Sequence, residues 1–284
     1  MNQLEKLSIE NKQNYETYLT RMSQSLETST KHFIPFYTLG KKSILDVGCA
    51  DGALMKVIKE VNPEARVVGI DLNSNAVDRA CAAGLEVYHM ALEEVYGNID
   101  VDFDCIIFSS VLHEISSYAT ANRFSSLPIR EALACAHGLL EEDGIIIIRD
   151  GLQDYDEEKV TAKFVNPEDT KWFHKFVAES EYPYFISDYR DMGGAITCYA
   201  GMMQEFLATW TWGEKSWPRE IQEKFCILGE TAWMRAVKDV GFEITTFQKS
   251  KEDYPKYLTP KVKLYGANGK EFFPFMTCTI IAKK

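Results

Sequence analysis

The chain reads as a doubly wound α/β protein, a mostly parallel sheet with helices on both faces. Apolar strands and helix-spaced stretches alternate between residues 43 and 150, and a glycine-rich turn joins the first strand to the first helix. A helix, a strand and a last strand follow a long insert. Strands are expected at about 43–47, 66–70, 85–89, 103–108 and 144–149. Helices fit about 52–61, 74–82 and 127–141, the last with Ile129, Leu133, Ala136, Leu139 and Leu140 at three- and four-residue spacings. Asn73-Ser74 and Ser126 are suited to helix caps. After the insert, Thr231 to Val240 reads as a helix, Gly241 to Phe247 as a strand and Phe275 to Ala282 as the last strand.

Four segments follow from this pattern. Residues 1–37 form an N-terminal helical segment whose Tyr15, Tyr18, Met22, Leu26, Phe33, Phe36 and Tyr37 fall partly on helical spacing, as in a stripe packed on the sheet or a lid over its site. Residues 38–150 hold the binding core, 151–225 a cap, and 226–284 complete the core.

With 284 residues, 46% of them hydrophobic, the chain can bury a large core. A net charge of −11 argues against work on a phosphate backbone, which needs clustered Lys and Arg. Seven cysteines occur singly, without a C-x-x-C pair, as in a reduced, cytoplasmic protein. No apolar stretch approaches the ~18 residues of a membrane span, and the first residues, with Glu5, Lys6, Glu10 and Lys12, lack the apolar core of an export signal.

The chemistry concentrates at Ser43-Ile44-Leu45-Asp46-Val47-Gly48-Cys49-Ala50-Asp51-Gly52. Gly48 and Gly52 allow a tight turn and a close approach of a ligand to the backbone. Asp46 would attract a cation such as an amino acid's ammonium and would repel a pyrophosphate, which wants bare N–H groups at a helix N-terminus. The next strand ends at Asp71-Leu72, where a carboxylate typically accepts the two hydroxyls of a ribose. The pocket therefore suits an adenosine carrying an amino acid. A nicotinamide dinucleotide site would show G-x-G-x-x-G, and this turn has Ala50 and Asp51 where that pattern differs.

Asp46-x-Gly48-x-x-x-Gly52, Val68-Gly69-Ile70-Asp71, Phe103-Asp104-Cys105-Ile106-Ile107-Phe108 and Gly144 to Ile148 together resemble the class I S-adenosylmethionine-dependent methyltransferases. That resemblance spans roughly residues 40–150 and implies a Rossmann-like seven-stranded sheet with a reversed last strand. It also implies S-adenosylmethionine as donor, leaving S-adenosylhomocysteine, with Asp46, Gly48, Cys49, Gly52, Asp71, Leu72, Met90, Ala91, Leu92 and Ser109 around it. One departure concerns adenine: Met90 stands near the place where many relatives carry an acid, so main-chain groups at Ala91 and Leu92 would meet the base, with Leu72 and Met90 on its faces.

The insert and its flanking helix carry all five tryptophans, Trp172, Trp210, Trp212, Trp217 and Trp233, amid many Phe and Tyr residues. Emerging after the fifth strand, it lies on the side where such sheets bind ligands and would enclose a small-molecule acceptor. Methyl transfer asks mainly for alignment, with a base where the acceptor is a hydroxyl or a protonated amine. His113, in Ser109-Ser110-Val111-Leu112-His113-Glu114, is the candidate base; a loop-orienting role is its alternative. Asp150, His174, Trp210, Tyr15 and Tyr18 are candidates to touch the acceptor. The histidines show no metal-ligand spacing and there is no G-x-S-x-G elbow, so neither a catalytic metal nor a serine hydrolase is expected. The leading expectation is methyl transfer to O or N of a small molecule. Alternatives are an RNA or protein methyltransferase, or a non-catalytic protein that binds the sulfonium compound. Exposed apolar cap surface would suit a homodimer.

Overall fold

The computed structural model describes residues 30–284 apart from 101, 155–157, 183–187 and 253. Tyr15 and Tyr18, and with them most of the expected N-terminal lid, lie outside the described residues. A 3-10 turn, Thr30–Phe33, leads into a short helix α1 (Ile34–Tyr37). The alternation then follows as β1 (Ser43–Val47), α2 (Ala53–Val61), β2 (Arg66–Asp71), α3 (Ser74–Ala82), β3 (Glu86–His89), β4 (Phe103–Ser109), α4 (Leu112–Ser117), α5 (Ser126–Leu139) and β5 (Leu140–Gly151). Asn73 caps α3 by accepting from the Ala76 N–H, and α5 is capped by Ser125, one residue before the Ser126 expected. Helix α5 also stops two residues early, because Leu140 already pairs with Phe103 and Asp143, at φ 67°, turns the chain into the main run of β5.

Beyond β5 come β6 (Lys159–Phe164), α6 (Thr170–Glu179), β7 (Arg190–Asp191), β8 (Ala195–Tyr199), α7 (Ala200–Trp210) and α8 (Trp217–Glu220). The chain closes with α9 (Glu230–Asp239), β9 (Glu243–Ser250), α10 (Tyr254–Leu258), β10 (Val262–Tyr265), β11 (Glu271–Phe272) and β12 (Thr277–Lys283).

The main sheet has seven strands in the order β3-β2-β1-β4-β5-β12-β9, parallel as far as β5, with β12 antiparallel to both neighbours. This is the architecture expected, and its strand order reverses direction between β1 and β4. Side chains alternate between the two faces. Leu45, Val68, Ile106, Ile146 and Ile148 pack under α5 and α9, whereas Ile44, Val67, Cys105, Ile107 and Ile147 pack under α2 and α3. Burial on both faces explains why the strands are near-continuous apolar runs.

The cap has its own antiparallel sheet, β11-β10-β6-β8-β7, and its own aromatic core around Phe173, Phe176, Phe206, Trp210 and Trp217. Two of those strands, β10 and β11, come from the stretch between β9 and β12. Residues 226–284 therefore do not only complete the main sheet, as the sequence reading had it; part of them returns to the cap. The reason is pairing: Val262 to Tyr265 lie against Phe164 to Thr161 and cover the edge of β6. Trp233 belongs instead to the main core, with its indole N–H on the Gly151 carbonyl.

Buried polar side chains of α7 bind the cap to β5. Gln204 donates to the carbonyls of Leu152 and Phe275, and the Glu205 carboxylate accepts the N–H groups of Phe225 and Cys226. The chain thus leaves β5 and returns beside it at fixed points.

Candidate functional site

The turn after β1 is wound tightly, with Gly48 at φ 70°, Ala50 at φ 49° and Gly52 at φ 75°. A Cβ on Gly48 would stand 2.5 Å from Val111 Cγ2, so this position also needs glycine for its close approach to the segment after β4. The amides of Gly48 and Cys49 both donate to the Ile70 carbonyl at 2.9 and 3.1 Å, and Gly52 donates to the Cys49 carbonyl. Ala50 donates to Asp71 Oδ2 at 2.8 Å, while Asp71 Oδ1 accepts from Asn73. These amides are spent within the protein and do not form the cradle of open N–H groups that a pyrophosphate needs.

What the corner offers instead are acceptors. Asp46 is buried at the C-terminal end of β1 with Oδ2 unpartnered, and Ser109, at the end of β4, has a buried Oγ without a partner. Burial raises the Asp46 pKa from the ordinary 3.8 to about 7, against the pull of Lys31. Buried polar atoms are almost always hydrogen-bonded, so two orphans at the ends of the neighbouring strands β1 and β4 mark a place built for a polar ligand.

Beside them lies a cavity of about 210 Å³. Gly48, Asp71 and Leu72 form one wall, Met90, Ala91, Leu92 and Glu93 a second, and Val111, Glu114, Ile115 and Tyr118 a third. Six of the expected donor-binding residues, Gly48, Asp71, Leu72, Met90, Ala91 and Leu92, are thereby brought together. The Ala91 N–H is capped by Glu94 at 2.7 Å, which leaves Glu93 as a carboxylate on the wall that the sequence reading had left without one. The Cys49 side chain packs into the core on the other face, beneath Gly69, so this residue can meet a ligand only through its backbone.

The segment after β4 opens with Ser110 at φ 62°, an unusual conformation for a residue with a side chain. Arg149 holds it in place: the guanidinium donates to Ser110 Oγ, and the Ser110 N–H donates to the Arg149 carbonyl. Next in the chain, Asp150 organises the start of α4. Its Oδ2 accepts from the N–H groups of Leu112 and His113, and its Oδ1 accepts from Gly151 and faces His113 Nδ1 at 2.7 Å.

On its other side His113 Nε2 faces Glu223 Oε2 at 3.6 Å, and the ring packs against Phe225 with centroids 5.0 Å apart. Burial opposes a charge on this imidazole, yet Asp150 and Glu223 outweigh it and hold the His113 pKa well above 6.5. Glu223 also accepts from the Tyr118 hydroxyl, and Arg219 bridges Glu223 at 3.4 Å to Glu114 at 2.9 Å. Burial, opposed by Arg219, raises the Glu114 pKa to about 7.

His113, Glu114 and Glu223 have potential ligand atoms within 4.8 Å of one another, a spacing that could hold a metal ion. The Arg219 guanidinium already supplies positive charge to both carboxylates.

Three candidates for acceptor contact belong elsewhere. Asp150 is 1% exposed with four contacts on its two oxygens, so it serves the backbone and ring of His113 and has no face left for a substrate. The two ring nitrogens of His174 are engaged inside the cap, by the Tyr189 hydroxyl and by Asp191. Trp210 is stacked on Phe206 in the cap core, with Lys261 over its ring. The residues that sequence reasoning missed, Lys31, Glu93, Tyr118, Arg219, Glu223 and Phe225, carried one faint signal. Arg219, Glu220 and Glu223 form a charged cluster between Trp217 and Phe225, which reads as a solvated helix face until the cap closes over it.

Comparison with known proteins bears on the family and the fold. Residues 18–246 match the family described as a methyltransferase domain. A stretch of 104 residues is 33% identical to the ribosomal RNA small subunit methyltransferase C of Actinobacillus succinogenes, covering 36% of this chain and 29% of that protein. Among solved structures, an S-adenosylmethionine-dependent methyltransferase from Mesorhizobium loti aligns with a TM-score of 0.53 at 15% identity, over 91% of this chain and 100% of the other. The 1,6-didemethyltoxoflavin-N1-methyltransferase of Burkholderia thailandensis, solved with 1,6-didemethyltoxoflavin and S-adenosylhomocysteine, aligns with 0.51 at 14% identity, over 98% and 87% of the two chains. Likeness at these identities speaks for the fold.

Proposed function

Because the chain belongs to the methyltransferase-domain family, we propose that it moves a methyl group from S-adenosylmethionine to an oxygen or nitrogen of a small acceptor held under the aromatic cap. The observation that carries the donor assignment is the corner after β1, where the amides are spent and Asp46 Oδ2 and Ser109 Oγ lack partners. Such a corner suits the ammonium of an amino acid and not a dinucleotide. When bound, the sulfonium supplies an already activated methyl group.

The chain's own residues then bind and align. Asp71, held by Ala50 and Asn73, has lone pairs left for two ribose hydroxyls. Leu72, Met90 and Leu92 supply apolar faces for the adenine, and the Glu93 carboxylate is the acceptor available for its amino group. Positioning donor and acceptor in line furnishes much of the rate. His113 is the proposed base: Asp150 fixes its Nδ1, so Nε2 is the atom that takes a proton once the imidazole has lost its own. Glu223 and Arg219 balance the charge beside it.

An RNA acceptor is the second reading, favoured by the 104-residue match to a ribosomal RNA methyltransferase; the net charge of −11 speaks against it. All seven cysteines are free, which supports a reducing, cytoplasmic setting, and among the described residues no helix is long and apolar enough to cross a membrane. The test is calorimetric titration with S-adenosylmethionine and, in parallel, NAD, followed by transfer of labelled methyl to small-molecule and RNA pools. Binding of the sulfonium compound and labelling of small molecules is expected. Binding of NAD alone would refute the donor, and labelling of RNA alone would refute the acceptor class.

A further inference from the structure

Ser110 stands between two residues of the candidate site. Before it, Ser109 has a buried Oγ without a hydrogen-bond partner; after it, Val111 lines the cavity and presses on Gly48. At φ 62° the Ser110 backbone is in the left-handed region, which costs a residue with a side chain and persists only where its surroundings impose it. Arg149 imposes it here. The Arg149 carbonyl accepts the Ser110 N–H at 2.7 Å, and the guanidinium donates to Ser110 Oγ.

Arg149 is buried and is itself fixed from its far side. Its Nε donates to Glu252 Oε1 at 3.2 Å, and the same oxygen accepts from the Thr277 hydroxyl at 3.0 Å. Glu252 is a second non-glycine residue in the left-handed region, at φ 50°, with its N–H on Ser250 Oγ at 2.9 Å. One buried ion pair thus joins two strained turns. The first opens the segment after β4; the second leaves β9 for α10, which leads into β10 of the cap sheet. A glycine at position 110 would take the same φ unaided. With serine there, the conformation depends on Arg149, and through Arg149 on Glu252.

We propose that Arg149 and Glu252 are positioning residues for methyl transfer. They hold the turn at Ser110 so that Ser109 and Val111 face the donor, and they tie that turn to the link that carries the chain from the main sheet into the cap. This rests on the donor reading above. Both residues act through Ser110 and not on the reacting atoms, and a shift of the link between β9 and α10 is felt at the cavity wall.

The test is calorimetric titration of the full chain with S-adenosylhomocysteine, with melting curves of the ligand-free variants to show that each is folded. Ser110→Ala and Ser110→Gly remove the same hydroxyl and leave Arg149 and Glu252 in place. Alanine, no longer held, leaves the left-handed region and should bind the ligand more weakly than glycine by roughly five- to thirtyfold, the preference of a residue with a Cβ against that region. Arg149→Met and Glu252→Ala should each weaken binding by a similar factor, and Ser110→Gly added to either should restore most of the loss. Equal affinities for the alanine and glycine variants would take the conformation of Ser110 out of the site, and double variants without recovery would leave the ion pair a part of the fold alone; either overturns the proposal. Should Arg149→Met and Glu252→Ala fail to fold, the comparison of alanine with glycine decides. If the wild-type chain does not bind S-adenosylhomocysteine, the donor reading fails and the proposal falls with it; a wild type that binds, with variants that keep its affinity, overturns the proposal alone.

Discussion

Replacing Asp46 with Asn should make the free protein more stable and its donor binding weaker. The wild-type carboxylate is buried, and its pKa stands at about 7 instead of 3.8. At about 1.4 kcal/mol per pH unit, ionising it inside the fold costs about 4 kcal/mol above pH 7. Relaxation around a buried charge trims that figure, so we expect Asn to raise stability by roughly 2–3 kcal/mol at pH 8, or the melting temperature by roughly 5–10 °C. The sign follows from proton counts. Between pH 4 and 7 the folded wild type holds a proton that the unfolded chain has released, so its stability falls as pH rises through that window. The variant has no such proton, and its advantage shrinks to nothing toward pH 4. S-adenosylhomocysteine affinity should drop by about tenfold or more, because an amide cannot neutralise an ammonium. Melting curves from pH 4.5 to 8 without ligand, and calorimetry at pH 8, measure the two effects. A variant that melts below wild type at pH 8, or binds S-adenosylhomocysteine equally well, would refute the assignment of this carboxylate to the ligand.

Four further outcomes are expected. Asp71→Ala should weaken S-adenosylhomocysteine and 5′-methylthioadenosine alike, each by roughly tenfold or more, since both carry the ribose; calorimetry reads this directly. His113→Ala should lower turnover by roughly 10²–10⁴ with S-adenosylhomocysteine affinity held. Wild-type turnover should rise with pH above neutrality, as the raised His113 pKa requires, and the variant's should not. A chelator such as EDTA should leave turnover unchanged, because Arg219 already serves the carboxylates beside His113; inhibition reversed by added metal would show that an ion does that work. Gly151→Ala would place a Cβ 1.9 Å from the Phe225 carbonyl, and the forced shift should cost roughly 1–3 kcal/mol in denaturant unfolding.

The fold was legible because its signals are local. Each strand of the parallel half is a short apolar run closed by a turn or a cap, and Asn73 or Gly52 does in the structure what its chemistry suggests in the sequence. The reversed β12 came from the family resemblance, and its pairing with β5 and β9 bears that out. The cap sheet was not legible, since β6 finds β10 only across about a hundred residues, and nothing in Val262 to Tyr265 says which edge it will cover. Pairing over that distance is decided by tertiary packing and not by propensity.

The candidate site divides along the same line. The corner proposed for the donor follows one contiguous motif and one strand end, so the nearness of Asp46, Gly48 and Asp71 could be read from the sequence. Its charged part is assembled from His113, Asp150, Arg219 and Glu223, which share no spacing. Glu223 is held beside His113 because Glu205, deep in the all-buried helix α7, holds the amides of Phe225 and Cys226 and so fixes the chain just after Glu223. A buried carboxylate is expensive unless its lone pairs are filled, and here two backbone N–H groups fill them. The position of Glu223 against His113 depends on that anchor. The cap is for this reason as much a part of the His113 environment as the strand that precedes it, and the insert that the sequence shows as an interruption of the sheet is what completes the site.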